Sequence, residues 1–309
     1  MPPLESMLTL NALRAAPVAL ANWLGLSGRD ESPTGRILLF HGTPQRDAAA
    51  LERQLRWLKR RFSIVPLRSL VAAAKAGDAL GSKVALTFDD GLRSNVAVAY
   101  PILHRLALPA TFFVCPGLVD RGAWLWTHEA CRRLGRLEPA ARRELAAEWQ
   151  APAGVEAFVE WMKTLALAAR RRVEARLHQA TPSFVPTAAE RGECDLASWQ
   201  ELRRLDPALV TIGSHTLSHA ILPGVPADEL EVEVRDSRRR LERGLERPVE
   251  FFSYPNGDHN ADTDACVRRH YRAAVTSSFG WVCGGAAAHR LPRRVAPTGV
   301  LRLAREIYA

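Results

Sequence analysis

No segment of the chain approaches the roughly 20 uninterrupted apolar residues that a membrane-crossing helix needs, so no transmembrane span is expected. Cysteine is sparse. The five that occur, Cys115, Cys131, Cys194, Cys266 and Cys283, are widely spaced and form no C-x-x-C pair, which argues against both a disulfide framework and a thiolate zinc site. Reduced, mostly buried thiols are what this usage predicts. Internal repeats and low-complexity tracts are absent too. With 47% hydrophobic and 24% charged residues among 309, disorder, a collagen-like fibre and a coiled coil are excluded. One large globular domain or two small ones remain.

Acidic residues are the minority charge: 33 Asp and Glu against 42 Lys and Arg leave a formal net charge of +9. Such a balance favours an acidic polymer or an anionic membrane surface. No zinc-finger spacing, aromatic RNA-binding motif or basic recognition helix accompanies it, so no nucleic-acid partner is expected. The excess falls in short clusters (59–61, 170–172 and 238–240) that read as solvated helix faces, compatible with peripheral association with an anionic membrane. Ala19-Leu20-Ala21 resembles a signal-peptidase site. Yet Glu5 stands where a basic n-region belongs, and Asn11 and Arg14 interrupt the apolar run, so a cytoplasmic location is expected.

Residues 1–35 form an N-terminal segment ahead of the first strong element, the apolar run Arg36 to Gly42, which reads as a buried strand. The period then changes, with Leu51, Leu55, Leu58 and Phe62 on one stripe and Arg53, Arg56 and Lys59 opposite it, as in an amphipathic helix. Further strands are expected at Phe62 to Leu67, Lys83 to Phe88, Ala110 to Val114, Leu209 to Gly213, Val249 to Tyr254 and Ala273 to Ser277. Helices are expected between them, at Asn95 to Leu106 and Asp228 to Leu245. This alternation predicts an α/β protein with a parallel sheet, and seven or eight strands permit a barrel with function at the C-terminal strand ends. The barrel would occupy residues 36–309. One region, about 124–198, offers only Ala-, Arg- and Glu-rich helical stretches (Pro139 to Trp149, Val155 to His178) and a polar link (Ala180 to Gly192), and reads as a helical insertion.

Two strand ends carry candidate chemistry. In Ala85-Leu-Thr-Phe-Asp-Asp-Gly91 a buried strand runs into consecutive carboxylates; neighbours in a strand point to opposite faces, so one can bind a cation while the other stays free as a base. In Val210-Thr-Ile-Gly-Ser-His-Thr-Leu-Ser-His219 a second strand ends in His215 and His219, four residues apart, a spacing that suits a divalent metal. Both would open onto the same rim. One carboxylate and two imidazoles leave positions for water and substrate, and a cation that acidifies water beside a free carboxylate fits hydrolysis of an amide or ester.

These two stretches resemble the first two motifs of the polysaccharide deacetylases, carbohydrate esterase family 4, and the similarity extends from about Ile37 through Arg294, leaving out much of the insertion. The resemblance implies a distorted, seven-stranded (β/α) barrel and a metal-dependent hydrolase that removes acetyl groups from N-acetylated sugars. Carried over by position, Asp89 matches the general base, and Asp90, His215 and His219 match the metal ligands. The implied cofactor is one divalent ion, zinc first, with cobalt, nickel or iron also accepted by this ligand type. The third motif falls at Phe252-Ser-Tyr-Pro-Asn-Gly257, with Tyr254 and Pro255 in a different order, as in a subgroup tied to exopolysaccharide synthesis. There the Tyr254 backbone amide would serve the oxyanion and Pro255 would line the groove. The family's base-orienting arginine is missing from that motif; Arg293 or Arg294 would replace it if the barrel closes. The leaving-group histidine is missing as well, with His259 and His289 as substitutes. His41, at the end of the first strand, is expected at the rim as a substrate contact or support, and Trp124, Trp126 and Trp281 are candidates for stacking on sugar rings. A sugar O-acetyl esterase and a non-catalytic glycan-binding relative are the alternatives.

Overall fold

The structure is a computed structural model that describes residues 34–308; the Ala19-Leu20-Ala21 stretch and the rest of residues 1–33 lie outside the described residues. Among the described residues there are eight strands: β1 (Arg36–Phe40), β2 (Ser63–Ile64), β3 (Lys83–Phe88), β4 (Ala110–Val114), β5 (Val210–Ser214), β6 (Phe251–Ser253), β7 (Ala273–Val275) and β8 (Arg294–Val295). Their order is β7-β6-β5-β4-β3-β1-β8, all neighbours parallel, with β2 beside the start of β3. The segment leading into β8 closes the barrel. Leu291 bridges Val275 of β7, and three residues later Arg294 pairs with Leu38 of β1.

Strand alternation sorts the side chains into two layers. Leu38, Val84, Leu86, Phe88, Phe112, Val114, Val210, Ile212, Phe252 and Ala274 face outward and pack with surrounding helices in the main core. Ile37, Ala85, Phe113, Phe251, Val275 and Leu291 face inward, together with residues of the helix Leu67–Ala76, in a second cluster. The helix Ala48–Arg61 buries Leu51, Leu55 and Leu58 and leaves Arg53, Arg56 and Lys59 exposed, as its period predicts. In the stretch 227–245 the expected stripe of Leu230, Val234, Leu241 and Leu245 is buried, although a π-helical turn at Val232–Asp236 interrupts the helix.

Between β4 and β5 the chain leaves the barrel for the helices Trp126–Arg136, Pro139–Glu148, Val155–Lys163, Leu167–Ala180 and Ala188–Cys194. These enclose their own apolar cluster around Leu134, Phe158, Met162 and Val173. The helical region expected over Val155 to His178 is thus two helices, broken at residues 164–166. The expected polar link carries a short helix started by a capping box from Thr187 to Glu190, which satisfies otherwise unpaired N-terminal amides. Both ends of the excursion are tied beside the Asp89–Asp90 turn. The Trp124 indole N–H donates to Asp195 Oδ1 at 2.7 Å, and the Ala197 amide donates to the Gly91 carbonyl at 3.0 Å.

Candidate active site

The site forms where β1, β3, β5 and β6 end. The Asp89 amide donates to the Phe40 carbonyl and the His215 amide to the Val114 carbonyl, both at 2.9 Å, so each side chain sits on a backbone still paired to its neighbour. Asp89 continues the inward series of Ala85 and Thr87, and His215 that of Gly213. At Asp90 the backbone swings into the left-handed region (φ 76°), as it does at Thr216 (63°) and His219 (59°). Such conformations are strained for residues with a Cβ and cluster at functional sites. Here they bring Asp90 and His219 back to the same point.

His219 Nε2 stands 3.4 Å and His215 Nε2 3.7 Å from Asp90 Oδ1. These separations exceed the 2.7–3.2 Å of an ordinary N–H···O bond. They match two donors that each lie about 2.1 Å from one tetrahedral ion, which places them roughly 3.4 Å apart. His215 Nδ1 bonds the Ser253 carbonyl at 2.8 Å, leaving Nε2 to face Asp90. The donor set therefore fits a divalent cation. Burial lowers the His215 pKa to about 4 against the opposing pull of Asp89, so the ring is neutral near pH 7, the form that ligates.

Asp89 is held differently. Arg293, fully buried, reaches it across the barrel with Nη1 at 2.7 Å from Oδ1 and Nη2 at 2.7 Å from Oδ2, a bidentate pair between residues far apart in sequence. Ser253 Oγ also donates to Asp89 Oδ2 at 3.1 Å, and Arg293 is anchored by the Thr276 carbonyl at 2.7 Å and Thr87 Oγ1 at 3.1 Å. Burial alone would raise the Asp89 pKa, but the Arg293 charge, with His215 behind it, outweighs burial and holds the carboxyl below its ordinary value. Asp90 is likewise held low: burial opposes, and the pull of nearby His219, with His41 and His215 beyond it, prevails. Both carboxylates are ionised at neutral pH.

A cleft of about 460 Å³ opens over these groups, lined among others by His41, Asp89, Asp90, Trp126, His128, Lys163, His215, His219 and Asn256. Of the expected contacts, His41 is exposed on its wall. Trp126 lines it too, but the indole is only 7% exposed, its N–H donates to the His219 carbonyl at 3.0 Å, and Arg170 covers its ring at 4.4 Å. Its principal contact is thus with the histidine loop.

Other expected contacts lie elsewhere. The Tyr254 amide donates to the Val275 carbonyl at 3.1 Å and its ring faces the outer core, so that amide is not available to an oxyanion. Pro255 is buried and does not line the cleft; its neighbour Asn256, at φ 60°, does. His259 is turned away, with Nδ1 at 3.2 Å from the Gly257 carbonyl and its ring against Tyr254. His289 bonds the Tyr271 carbonyl at 2.8 Å. Trp281 adjoins Val282, which pairs with Gly35 before β1, and stacks on Arg36 and Arg294 at the opposite end of the barrel from the site. Trp124 packs against Phe184 at the base of the insertion.

Sequence reasoning missed Ser253, Asn256, His128 and Lys163. Inward alternation from Phe251 would have placed Ser253 toward Asp89. His128 and Lys163 carry no comparable signal, because nothing in the insertion's pattern states which helix faces the barrel mouth.

A sequence profile described as polysaccharide deacetylase matches residues 76–274, well over half of the chain. The chain belongs to the polysaccharide deacetylase family. No curated protein sequence is significantly similar to it. Among solved structures, it resembles IcaB from Ammonifex degensii (17% identity, 92% of this chain and 99% of that one, TM-score 0.60). It also resembles the Streptococcus pyogenes deacetylase PplD, determined in complex with acetate (17%, 85% and 92%, 0.57). A third similar structure is the BpsB deacetylase domain from Bordetella bronchiseptica (16%, 87% and 98%, 0.55). At these identities the likeness establishes the shared fold. His41 and Arg293 both fall outside the span of the deacetylase family match, next to the paired strands β1 and β8.

Proposed function

We propose that the protein is a divalent-metal-dependent hydrolase that removes acetyl groups from N-acetylated sugars of a glycan or glycan precursor, in the setting of exopolysaccharide synthesis. The observation that carries this is the pairing of two unlike carboxylates: Asp90 facing the two imidazoles of His215 and His219, and Asp89 beside them, tied to Arg293 instead.

Asp90, His215 and His219 would hold the ion; one carboxylate and two imidazoles suit zinc first, and also cobalt, nickel or iron. When bound, the ion supplies Lewis acidity, lowering the pKa of water and polarising a carbonyl. Asp89 takes the proton of the attacking water. Its geometry suits this work, because the guanidinium fixes the orientation of both carboxylate oxygens and keeps the group in its ionised form. His41, exposed on the cleft wall that it shares with Asp89 and Asp90, would protonate the departing amine. Half-buried His128, whose pKa desolvation lowers, lines the same cleft from the insertion.

No helix among the described residues is long and apolar enough to cross a membrane. A cytoplasmic setting, with the positive surface in peripheral contact with anionic lipid, belongs to the same proposal, and flotation with anionic vesicles tests it. The test of function is metal content together with acetate release. The purified protein should contain about one divalent ion per chain and release acetate from an N-acetylated oligosaccharide. His215→Ala should lose the ion; Asp89→Asn should keep it and lose turnover by roughly 10²–10⁴-fold, the usual worth of a positioned base. Full metal content without acetate release from any acetylated sugar would favour a glycan-binding role instead.

A further inference from the structure

We propose that Glu233, a residue outside the cleft, is a positioning residue that clamps the loop between His215 and His219 and so sets the geometry in which the two imidazoles meet Asp90. The role rests on the metal site proposed above.

The loop cannot satisfy its own backbone. After His215 the chain turns left-handed at Thr216 and again at His219, so the amides between them have neither strand nor helix partners. Glu233 supplies them. Its Oε2 accepts from both the Leu217 and the Ser218 amides at 3.0 Å, its Oε1 accepts from Ser218 Oγ at 2.6 Å, and its main-chain carbonyl accepts from the Leu217 amide at 3.1 Å. Glu233 is 5% exposed, and it occupies the π-helical turn Val232–Asp236, a distortion often found at functional sites. A buried carboxylate with several amide donors is a strong, directional anchor.

The opposite side of the loop is held independently. The Gly117 amide donates to the Leu217 carbonyl at 3.0 Å; a Cβ on Gly117 would stand only 2.7 Å from that oxygen, so glycine permits the approach. The Trp126 N–H holds the His219 carbonyl. Arg170, stacked on Trp126, also places its charge near Glu233, so one buried cation faces both the carboxylate and the indole that fix this loop.

Three variants test the role: Glu233→Ala, Glu233→Gln and Ser218→Ala. Two readouts do not require turnover, namely hydrogen exchange at the Leu217 and Ser218 amides in metal-free protein, and the affinity for added cobalt with the absorption of the bound ion. Glu233→Ala should accelerate exchange at both amides and weaken cobalt binding by about 10–100-fold, the usual effect of losing a group that supports a ligand. Glu233→Gln keeps an acceptor for the amides and should recover most of that affinity; Ser218→Ala should fall between the two. If Glu233→Ala does not fold, the other two variants decide the matter by the same readouts. Wild-type cobalt affinity and spectrum in a variant whose loop amides exchange freely would overturn the clamp. Protected wild-type amides in a protein that takes up no cobalt would overturn the metal site, and this role with it.

Discussion

The two walls of the cleft are made in different ways. On one side Asp89, Asp90, His215 and Arg293 project from strand ends or from the segment that closes the barrel, held by ladder hydrogen bonds and by each other. On the other side Trp126, His128 and Lys163 come from helices that pack on their own apolar cluster and attach beside the Asp89–Asp90 turn. Reactive groups need fixed separations, which a sheet provides. The other wall stands on a separately packed helical unit, where change away from Trp126, whose N–H holds the His219 carbonyl, would leave the reacting groups undisturbed. The contrast predicts that substitutions on the barrel side act on the chemical step and on stability, whereas those on the helical side act on substrate affinity.

The largest effect is expected at Arg293. Removing one partner of a buried ion pair costs about 3–5 kcal/mol, so Arg293→Leu should lose stability and catalysis together. The pH dependence should change sign as well. In the wild type the Asp89 pKa lies below the unfolded carboxylate value of about 3.9, so the pair stabilises the fold above that pH, and the contribution fades as pH falls through the lower, folded value. Without the guanidinium, the largest opposition to burial is gone and the carboxyl rises. The metal-free variant should then become less stable as pH rises past about 4. Melting temperatures of metal-free wild type and variant across mildly acidic to neutral pH would show this, and parallel curves would refute it.

That pair also marks how far the sequence can be read. Asp89 and His215 were legible because each follows a buried strand whose alternation fixes which way the side chain faces, whereas Asp90 and His219 were legible from residue type and spacing and reach the site only through left-handed turns. Arg293 and Arg294 were equal candidates until the seam was visible. Adjacent residues there face opposite ways, and Arg294 stacks on Phe279 and Trp281 instead. Tyr254 was misjudged because motif order was followed where alternation would have served: Phe252 and Tyr254 face the helices, and Ser253 faces the barrel. Trp281 was misplaced because the loop after β7 returns to the N-terminal end of the barrel before the chain reaches β8. The helix Trp126–Arg136 was not foreseen, and the spatial neighbours of His128 and Lys163 depend on helix packing that no local period encodes.

An intermediate and selective effect is expected at His41. An amine leaves a tetrahedral centre poorly unless it is protonated, whereas an activated ester expels its alkoxide or phenoxide without help. His41→Ala should therefore lose roughly 10²–10⁴-fold in kcat on an N-acetyl substrate while retaining most of its rate on an activated acetate ester and its full metal content. Equal losses on the two substrates would mean that His41 does not supply the proton. Rates for the amide and ester measured on the same preparations also separate an N-deacetylase from an O-acetyl esterase.

The smallest effect is expected on the helical wall. Lys163 lines the cleft from the end of the helix Val155–Lys163, where it is paired with Glu160 at 2.7 Å and remains partly exposed. A pair of this kind contributes about 0–1 kcal/mol to stability, so Lys163→Ala should unfold at nearly the wild-type temperature. Losing its ammonium should raise KM by less than about tenfold, the equivalent of 1.4 kcal/mol, with kcat unchanged. A fall in kcat at constant KM would place Lys163 among the groups that act in the transition state. The division between a catalytic barrel wall and a binding helical wall would then fail at that position.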